Sequence, residues 1–173
     1  IWVENTYNRP VADAGITSFT LDGSTLGNMG LYNLTVNGGW NGHNGSSTIN
    51  LLAPSVIDGA SLIIDNWTGA VTLNDITIKN APNTGLTVET KGNIILKNMD
   101  AISNTVDGVD GAALDNCVLN VTTKKCTGTG TVSVSYSTFS GNGGNGLTVI
   151  SNRAITARNI TAVHNVGKGV SLD

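Results

Sequence analysis

The sequence has little charge and little proline, and it lacks a long hydrophobic run. Only 12% of its 173 residues are charged, and the nine Lys and Arg are outnumbered by twelve Asp and Glu, for a formal net charge of −3. Without a basic run the chain offers no phosphate-seeking surface, so we expect no nucleic-acid partner. Without an apolar run approaching about 18 residues, we expect no membrane insertion.

Strong helix formers are scarce, whereas glycine, Asn, Thr and Val are abundant. Glycine accounts for 22 residues and proline for only three. Glycine and Asn favour tight turns, while the β-branched Thr and Val favour strands. The composition therefore predicts an all-β fold, and the length fits one domain spanning residues 1–173.

A repeat of 23 residues runs through the second half of the chain. The segments 71–73, 94–96, 132–134 and 155–157 open four equivalent units, and a glycine stands fourteen residues after each opening residue, at Gly85, Gly108, Gly146 and Gly169. Each unit contains three short runs with apolar side chains at alternate positions, the pattern of strands. Because such a unit cannot bury its own apolar face, the units must stack on one another.

Stacked units of this kind predict a single-stranded parallel β-helix. We expect a three-sheet solenoid with about 23 residues per coil, irregular N-terminal coils over residues 1–60 and regular coils over residues 61–173. The chain from Gly108 to Val132 is fifteen residues longer than the repeat allows. This excess predicts an insertion near residues 112–130.

Asparagine recurs at two fixed positions of the repeat. Four residues after each unit begins stand Asp75, Asn98, Tyr136 and Asn159, and ten residues after it stand Asn104, Asn142 and Asn165. Asn tolerates left-handed backbone at corners, and stacked Asn side chains can hydrogen-bond along a row. We therefore expect these asparagines and the repeated glycines to form structural ladders.

The repeat units resemble right-handed parallel β-helix repeat proteins. The resemblance rests on GAVTLNDITI at 69–78 and GTVSVSYSTFSGNGGNGL at 130–147, and it covers residues 62–173 well and the first 60 weakly. It points to the pectate-lyase-like group, particularly large secreted bacterial repeat proteins and adhesins. It implies right-handed coils and an extracellular or cell-surface location, whereas functions in this group range from polysaccharide cleavage to adhesion and fibre building.

Both cysteines, Cys117 and Cys126, fall within the predicted insertion. Two Cys that flank a short loop predict a local disulfide and an oxidising, extracytoplasmic compartment, with two free thiols as the alternative. The chain opens without a signal segment, so we expect a mature or excised form. It stops within a strand pattern at residues 170–173, so we expect a longer parent or an end that meets another copy.

No cluster of residues in the predicted register points to catalysis. Polysaccharide cleavage needs carboxylates on neighbouring coils, but Asp75 is followed by Asn98, and Asp100 aligns with threonines. Lys97 and Arg158 occupy equivalent positions, which we interpret as solvated corners.

The tightest acidic group comprises Asp107, Asp110 and Asp115. Oxygen-rich turns with glycine can bind Ca²⁺, but the spacing matches neither an EF-hand nor a calcium-binding β-roll. The pattern favours a simple turn, so we predict no metal site and no cofactor.

The three tryptophans, Trp2, Trp40 and Trp67, all lie in the first 67 residues. Exposed Trp can stack on sugar rings, which makes these residues candidate carbohydrate contacts. The alternative, which we favour, is that they close the core at the irregular end.

Together these features predict a non-catalytic extracellular structural β-solenoid. It would be a surface adhesin segment or a fibre subunit, and it would assemble end to end or belong to a longer chain. The alternative is a carbohydrate-active β-helix, either a polysaccharide-binding module or a relative of polysaccharide lyases and hydrolases.

Overall fold

The fold consists of parallel strands in two sheets. The computed structural model describes residues 2–4, 6–8, 15–40, 54–118, 120, 122, 123 and 125–173, and the side chains of residues 2–4, 6–8 and 40 lie outside that description. The first sheet contains β1 (Trp2–Glu4), β2 (Thr6–Asn8), β4 (Leu34–Trp40), β5 (Ser55–Asp58), β7 (Val71–Lys79), β9 (Ile94–Ile102), β11 (Val132–Thr138) and β13 (Ile155–Thr161). The second contains β3 (Ser18–Asp22), β6 (Ser61–Trp67), β8 (Leu86–Thr90), β10 (Ala112–Asp115), β12 (Leu147–Ile150) and β14 (Val170–Leu172). A short 3₁₀ helix spans Gly27–Leu31, and no helix among the described residues has the length and apolar character to cross a membrane.

The chain alternates between the two sheets, and each return defines one coil. Four coils each contain one strand of each sheet: β7–β8, β9–β10, β11–β12 and β13–β14. Two earlier coils divide the first-sheet part into two short strands, giving β1–β2–β3 and β4–β5–β6. Val71, Ile94, Val132 and Ile155 pair in one row. The predicted all-β architecture with parallel strands is confirmed, and the arrangement is consistent with a β-solenoid.

Each long strand of the first sheet bends at one residue with left-handed backbone. The φ angle is 58° at Asp75 and 53° at Asn98, Tyr136 and Asn159. Pairing between β7 and β9 continues on both sides of the bend. Two runs that the sequence pattern separates therefore lie within one strand.

The core is made of columns of aliphatic side chains between the sheets. In the β7–β8 coil the fully buried side chains are Val71, Leu73, Ile76, Ile78, Leu86 and Val88. Equivalent positions of the next coils hold similar side chains, so each column is continuous from coil to coil. Burial of this apolar surface is the main force that holds the coils together.

The predicted place of Gly108 in the glycine row is wrong. Ala112 pairs with both Leu86 and Leu147, so the residue before it, Gly111, is the equivalent of Gly85. The error arises because six residues separate Asn104 from Gly111, whereas three separate the equivalent residues Asn142 and Gly146. Three extra residues in this turn shift the register.

The insertion begins later than predicted. Residues 112–115 form β10 and pair within the second sheet, so they belong to the coil. Sixteen residues separate Asp115 from Val132, whereas four separate the equivalent residues Ile150 and Ile155. The twelve extra residues lie in a loop at 116–131, which we call the Cys loop.

Candidate functional site

An asparagine ladder, in which Asn104 and Asn142 are buried and Asn165 is half-buried, links three successive coils at one corner. The backbone N–H and Nδ2 of Asn104 donate to Oδ1 of Asn142, at 3.1 and 3.0 Å. The same two groups of Asn142 donate to Oδ1 of Asn165, at 3.0 and 2.9 Å. At the other end, Oδ1 of Asn104 accepts from the backbone N–H of Ala81 at 2.9 Å. The ladder satisfies polar groups that the core would otherwise leave unpaired.

The repeated glycines make room for this ladder. A Cβ on Gly85 would lie 2.6 Å from Nδ2 of Asn104, and a Cβ on Gly111 would lie 2.5 Å from Nδ2 of Asn142. A Cβ on Gly146 would lie 2.5 Å from the carbonyl oxygens of Phe139 and Gly169. The glycine row and the asparagine row therefore pack against each other, and a side chain at the glycine positions would disturb the ladder.

The other predicted ladder residues have different surroundings. A Cβ on Gly169 would lie 2.8 Å from the Ala162 carbonyl, whereas Gly108 has open space around it and a φ of 76°. At the strand bends, Nδ2 of Asn98 donates to Oδ1 of Asp75 at 2.8 Å, and Asn159 is exposed.

The structure also brings together a column of carboxylates that the predicted register hid. Four acidic residues follow equivalent positions of successive second-sheet strands: Asp22 in β3, Asp65 in β6, Glu89 in β8 and Asp115 in β10. Neighbouring strands lie about 4.8 Å apart, so these acidic residues follow one another across the second sheet. We call this set the acidic column.

A recurring sequence signal marks the acidic column. The segments 19–22, 62–65, 86–89 and 112–115 read FTLD, LIID, LTVE and AALD, in which two inward apolar residues precede an acidic one. The motif returns as VSLD at 170–173, after LTVI at 147–150 interrupts it. Alignment of these segments alone would have predicted the column.

Within the acidic column, the pKa values of two carboxyls are shifted in opposite directions by their surroundings. Burial raises the pKa of Glu89, and the neighbouring charges of Asp65 and Asp115 raise it further. Hydrogen bonds from the side chain and backbone of Ser24 hold the pKa of Asp22 below its usual range. A carboxyl whose pKa is raised beside other carboxyl groups is a candidate for a general acid.

The Cys loop positions one member of the acidic column. A disulfide joins Cys117, near the start of the loop, to Cys126 within it. Oδ1 of Asp115 accepts from the backbone N–H of Cys117 at 2.7 Å and from that of Val118 at 3.2 Å. The loop therefore fixes the Asp115 carboxylate at the end of β10.

The three aspartates weighed as a calcium site lie in different environments. Asp110 accepts from the backbone N–H of Asn145 at 2.7 Å and from Oγ1 of Thr148 at 2.6 Å, so its carboxylate ties one coil to the next. Asp115 belongs to β10, and Asp107 is exposed in the turn. No cluster of three or more His, Cys, Asp or Glu suited to a metal ion occurs among the described residues.

Trp67 is not a carbohydrate contact. Only 4% of it is exposed, because it ends β6 within the core, and its Nε1 donates to the Tyr32 carbonyl at 2.7 Å. Trp67 thus closes the core, the alternative that the sequence favours. The side chains of Trp2 and Trp40 lie outside the described part of the chain.

Comparison with family models, with curated proteins and with solved structures gives no match for this sequence.

Proposed function

We propose that the chain is a non-catalytic structural segment of an extracellular β-solenoid, in which it serves as an adhesin segment or a fibre subunit. The observation that carries the proposal is the ladder of Asn104, Asn142 and Asn165. These amides form hydrogen bonds to one another and to the backbone of adjacent coils. Such bonds between successive repeats make a stack rigid. The six coils in the described part of the chain, at about 4.8 Å each, give a stack of roughly 30 Å.

In this proposal the solenoid is a right-handed parallel β-helix with three faces. The left-handed bend recurs at the same position of β7, β9, β11 and β13, and it divides each first-sheet strand into two faces. The second sheet supplies the third face. Right-handed coils follow from the strong preference for right-handed connections between parallel strands.

The extracellular location is supported by the disulfide between Cys117 and Cys126. Disulfides persist in oxidising compartments and are rare in the cytosol.

The final coil offers a surface on which a further coil can stack. Leu172 is 52% exposed, although it continues the column of the buried Val149. A second copy of the chain, or more of a longer chain, would cover it.

Sedimentation velocity and negative-stain electron microscopy of the purified chain test this association. We expect rods that lengthen with concentration, loss of association in Leu172→Lys, and normal association in Val163→Lys, whose side chain is on the outer surface of the same coil. Dispersed monomers of the unaltered chain would contradict the fibre form of the proposal.

A second function, acid–base cleavage of a polysaccharide, is favoured by the acidic column. Glu89 has a raised pKa and lies between two carboxylates, an arrangement suited to a general acid with a neighbouring base. The test is the release of new reducing ends from neutral and acidic polysaccharides. We expect Glu89→Gln to lower the rate by about 100-fold or more, and Asp107→Asn, in an exposed turn, to leave it unchanged. No product from the unaltered chain would contradict this second function.

A further inference from the structure

Tyr136 occupies a backbone position that its side chain does not favour. Equivalent bends hold Asp75, Asn98 and Asn159, and Asp and Asn tolerate left-handed backbone. Tyr136 adopts the same conformation, with a φ of 53°, although a bulky side chain is strained there. At the bend that follows Asn98 on the next coil, Tyr136 presents an aromatic ring, whereas an Asn at this position would present a second amide. Strained residues that the surrounding structure enforces are concentrated at functional sites.

The ring of Tyr136 lies open to solvent beside a shallow cleft. The residue is 61% exposed, and the cleft has a volume of about 300 Å³. The other lining residues are Asp75, Lys97 and Asn98. The walls thus come from three successive coils, those of β7, β9 and β11.

The cleft combines an aromatic surface with hydrogen-bonding groups of both kinds. Asp75 is largely buried, and its Oδ1 accepts from Asn98 at 2.8 Å, so this pair forms an ordered polar floor. Lys97 is exposed and contributes a charged donor. Its register partner on the next coil is Ser135, the residue before Tyr136.

This combination selects among ligand classes. A multiply charged anion would face the Asp75 carboxylate, and an apolar ligand would desolvate Lys97 and Asn98 without replacing their hydrogen bonds. A pyranose ring has an apolar C–H face that can stack on an aromatic ring, and a rim of hydroxyls that can both donate and accept.

We propose that this cleft binds a pyranose unit of a saccharide, which stacks on Tyr136 and hydrogen-bonds through its hydroxyls to Lys97, Asn98 and Asp75. The site lies at the bend of the first sheet, whereas the acidic column lies on the second sheet. It therefore depends neither on end-to-end assembly nor on cleavage at Glu89.

Saturation-transfer NMR and calorimetry with cellotetraose, maltotetraose, xylotetraose and chitotetraose test the proposal. We expect at least one of these neutral tetrasaccharides to bind and to receive saturation from the tyrosine ring. Tyr136→Phe keeps the stacking face and should bind within a few-fold of the unaltered chain. Tyr136→Asn removes the ring and should weaken binding by about tenfold or more.

Tyr136→Asn also separates loss of the site from loss of the fold. Because Asn suits the left-handed bend, this variant should melt at or above the temperature of the unaltered chain. Tyr32→Asn, at a second exposed tyrosine away from the cleft, should leave binding unchanged. The proposal is overturned if none of the four tetrasaccharides binds, or if Tyr136→Asn binds as tightly as the unaltered chain.

Discussion

At the scale of single residues, Asn142 is central to the asparagine ladder. Its Oδ1 accepts two hydrogen bonds from Asn104, and its own N–H groups donate to Asn165 and to the Ala101 carbonyl. Asn142→Ala would leave several buried polar groups unpaired, at about 1–3 kcal/mol each. We expect the free energy of unfolding in urea to fall by about 3–5 kcal/mol.

The matched control for this variant is Asn152→Ala, at an exposed residue in the turn after β12. Its free energy of unfolding should stay within about 0.5 kcal/mol of the unaltered chain. Equal effects of the two substitutions would show that the ladder contributes no special stability.

Gly111 and Gly108 are glycines for different physical reasons. A Cβ on Gly111 would collide with Asn142 and with the Gly146 carbonyl, whereas Gly108 has open space and needs only its left-handed φ. Gly111→Ala should therefore lower the free energy of unfolding by about 1–3 kcal/mol through overpacking. Gly108→Asn, which tolerates that φ, should change it by a few tenths of a kcal/mol, on the order of a surface substitution. If Gly108→Asn destabilised the chain more than Gly111→Ala in urea denaturation, the assignment of Gly111 rather than Gly108 to the glycine row would be contradicted.

Glu89 should make stability depend on pH. Because burial and the charges of Asp65 and Asp115 raise its pKa, the folded chain favours its protonated form, and that contribution is lost as the pH rises through the raised pKa. Glu89→Gln should therefore be more stable than the unaltered chain at pH 7, by roughly 0.5 kcal/mol after solvent screening.

The difference should vanish below the ordinary Glu pKa of about 4.3, where Glu89 is protonated in both the folded and unfolded states. Melting temperatures of the two proteins across this range measure the effect, with Asp107→Asn as the exposed control. A growing advantage of the unaltered chain with rising pH would contradict the assigned environment of Glu89.

At the scale of elements, the Cys loop contributes none of the strands β1–β14, although Thr129 and Gly130 donate to the Lys91 carbonyl of the neighbouring coil. Strands β10 and β11, which flank it, each pair on both sides. Replacing Cys117 and Cys126 together by Ser should lower the free energy of unfolding by about 2–3 kcal/mol, from the restored freedom of the unfolded loop. The far-ultraviolet circular dichroism of the folded chain should remain that of parallel sheet. Loss of that signal would show that the loop is needed for the coils to form.

The strands could be predicted from the sequence because inward apolar residues alternate along them, as in β7 and β9. The acidic column could not be predicted from the same register. The spacing from Val71 to Glu89, counted again from Ile94, leads to Ala112 instead of Asp115. The count falls short because three extra residues precede Gly111 in this coil. This register places Asp115 in the predicted insertion. A repeat defined from first-sheet strands does not report length changes in the turns that follow them.

At the scale of the whole molecule, one order of stacking determines where every coil lies. Each coil pairs only with the coils before and after it in the described part of the chain, so columns of core residues, the asparagine ladder and the acidic column all follow from one register. The Tyr136 cleft follows from it too, because its walls come from three successive coils.

The most direct test of this register is disulfide formation between introduced cysteine pairs, mapped by mass spectrometry of peptides. Thr87 and Ala113 pair in adjacent strands, whereas Ile63 and Ala113 have the β8 strand between them. Adjacent strands lie about 4.8 Å apart, within the range of up to about 7 Å that a disulfide can bridge, and strands two apart lie beyond it. We expect the Thr87→Cys and Ala113→Cys pair to cross-link and the Ile63→Cys and Ala113→Cys pair to stay reduced. Cross-linking of the second pair, or of neither, would contradict the stacked register.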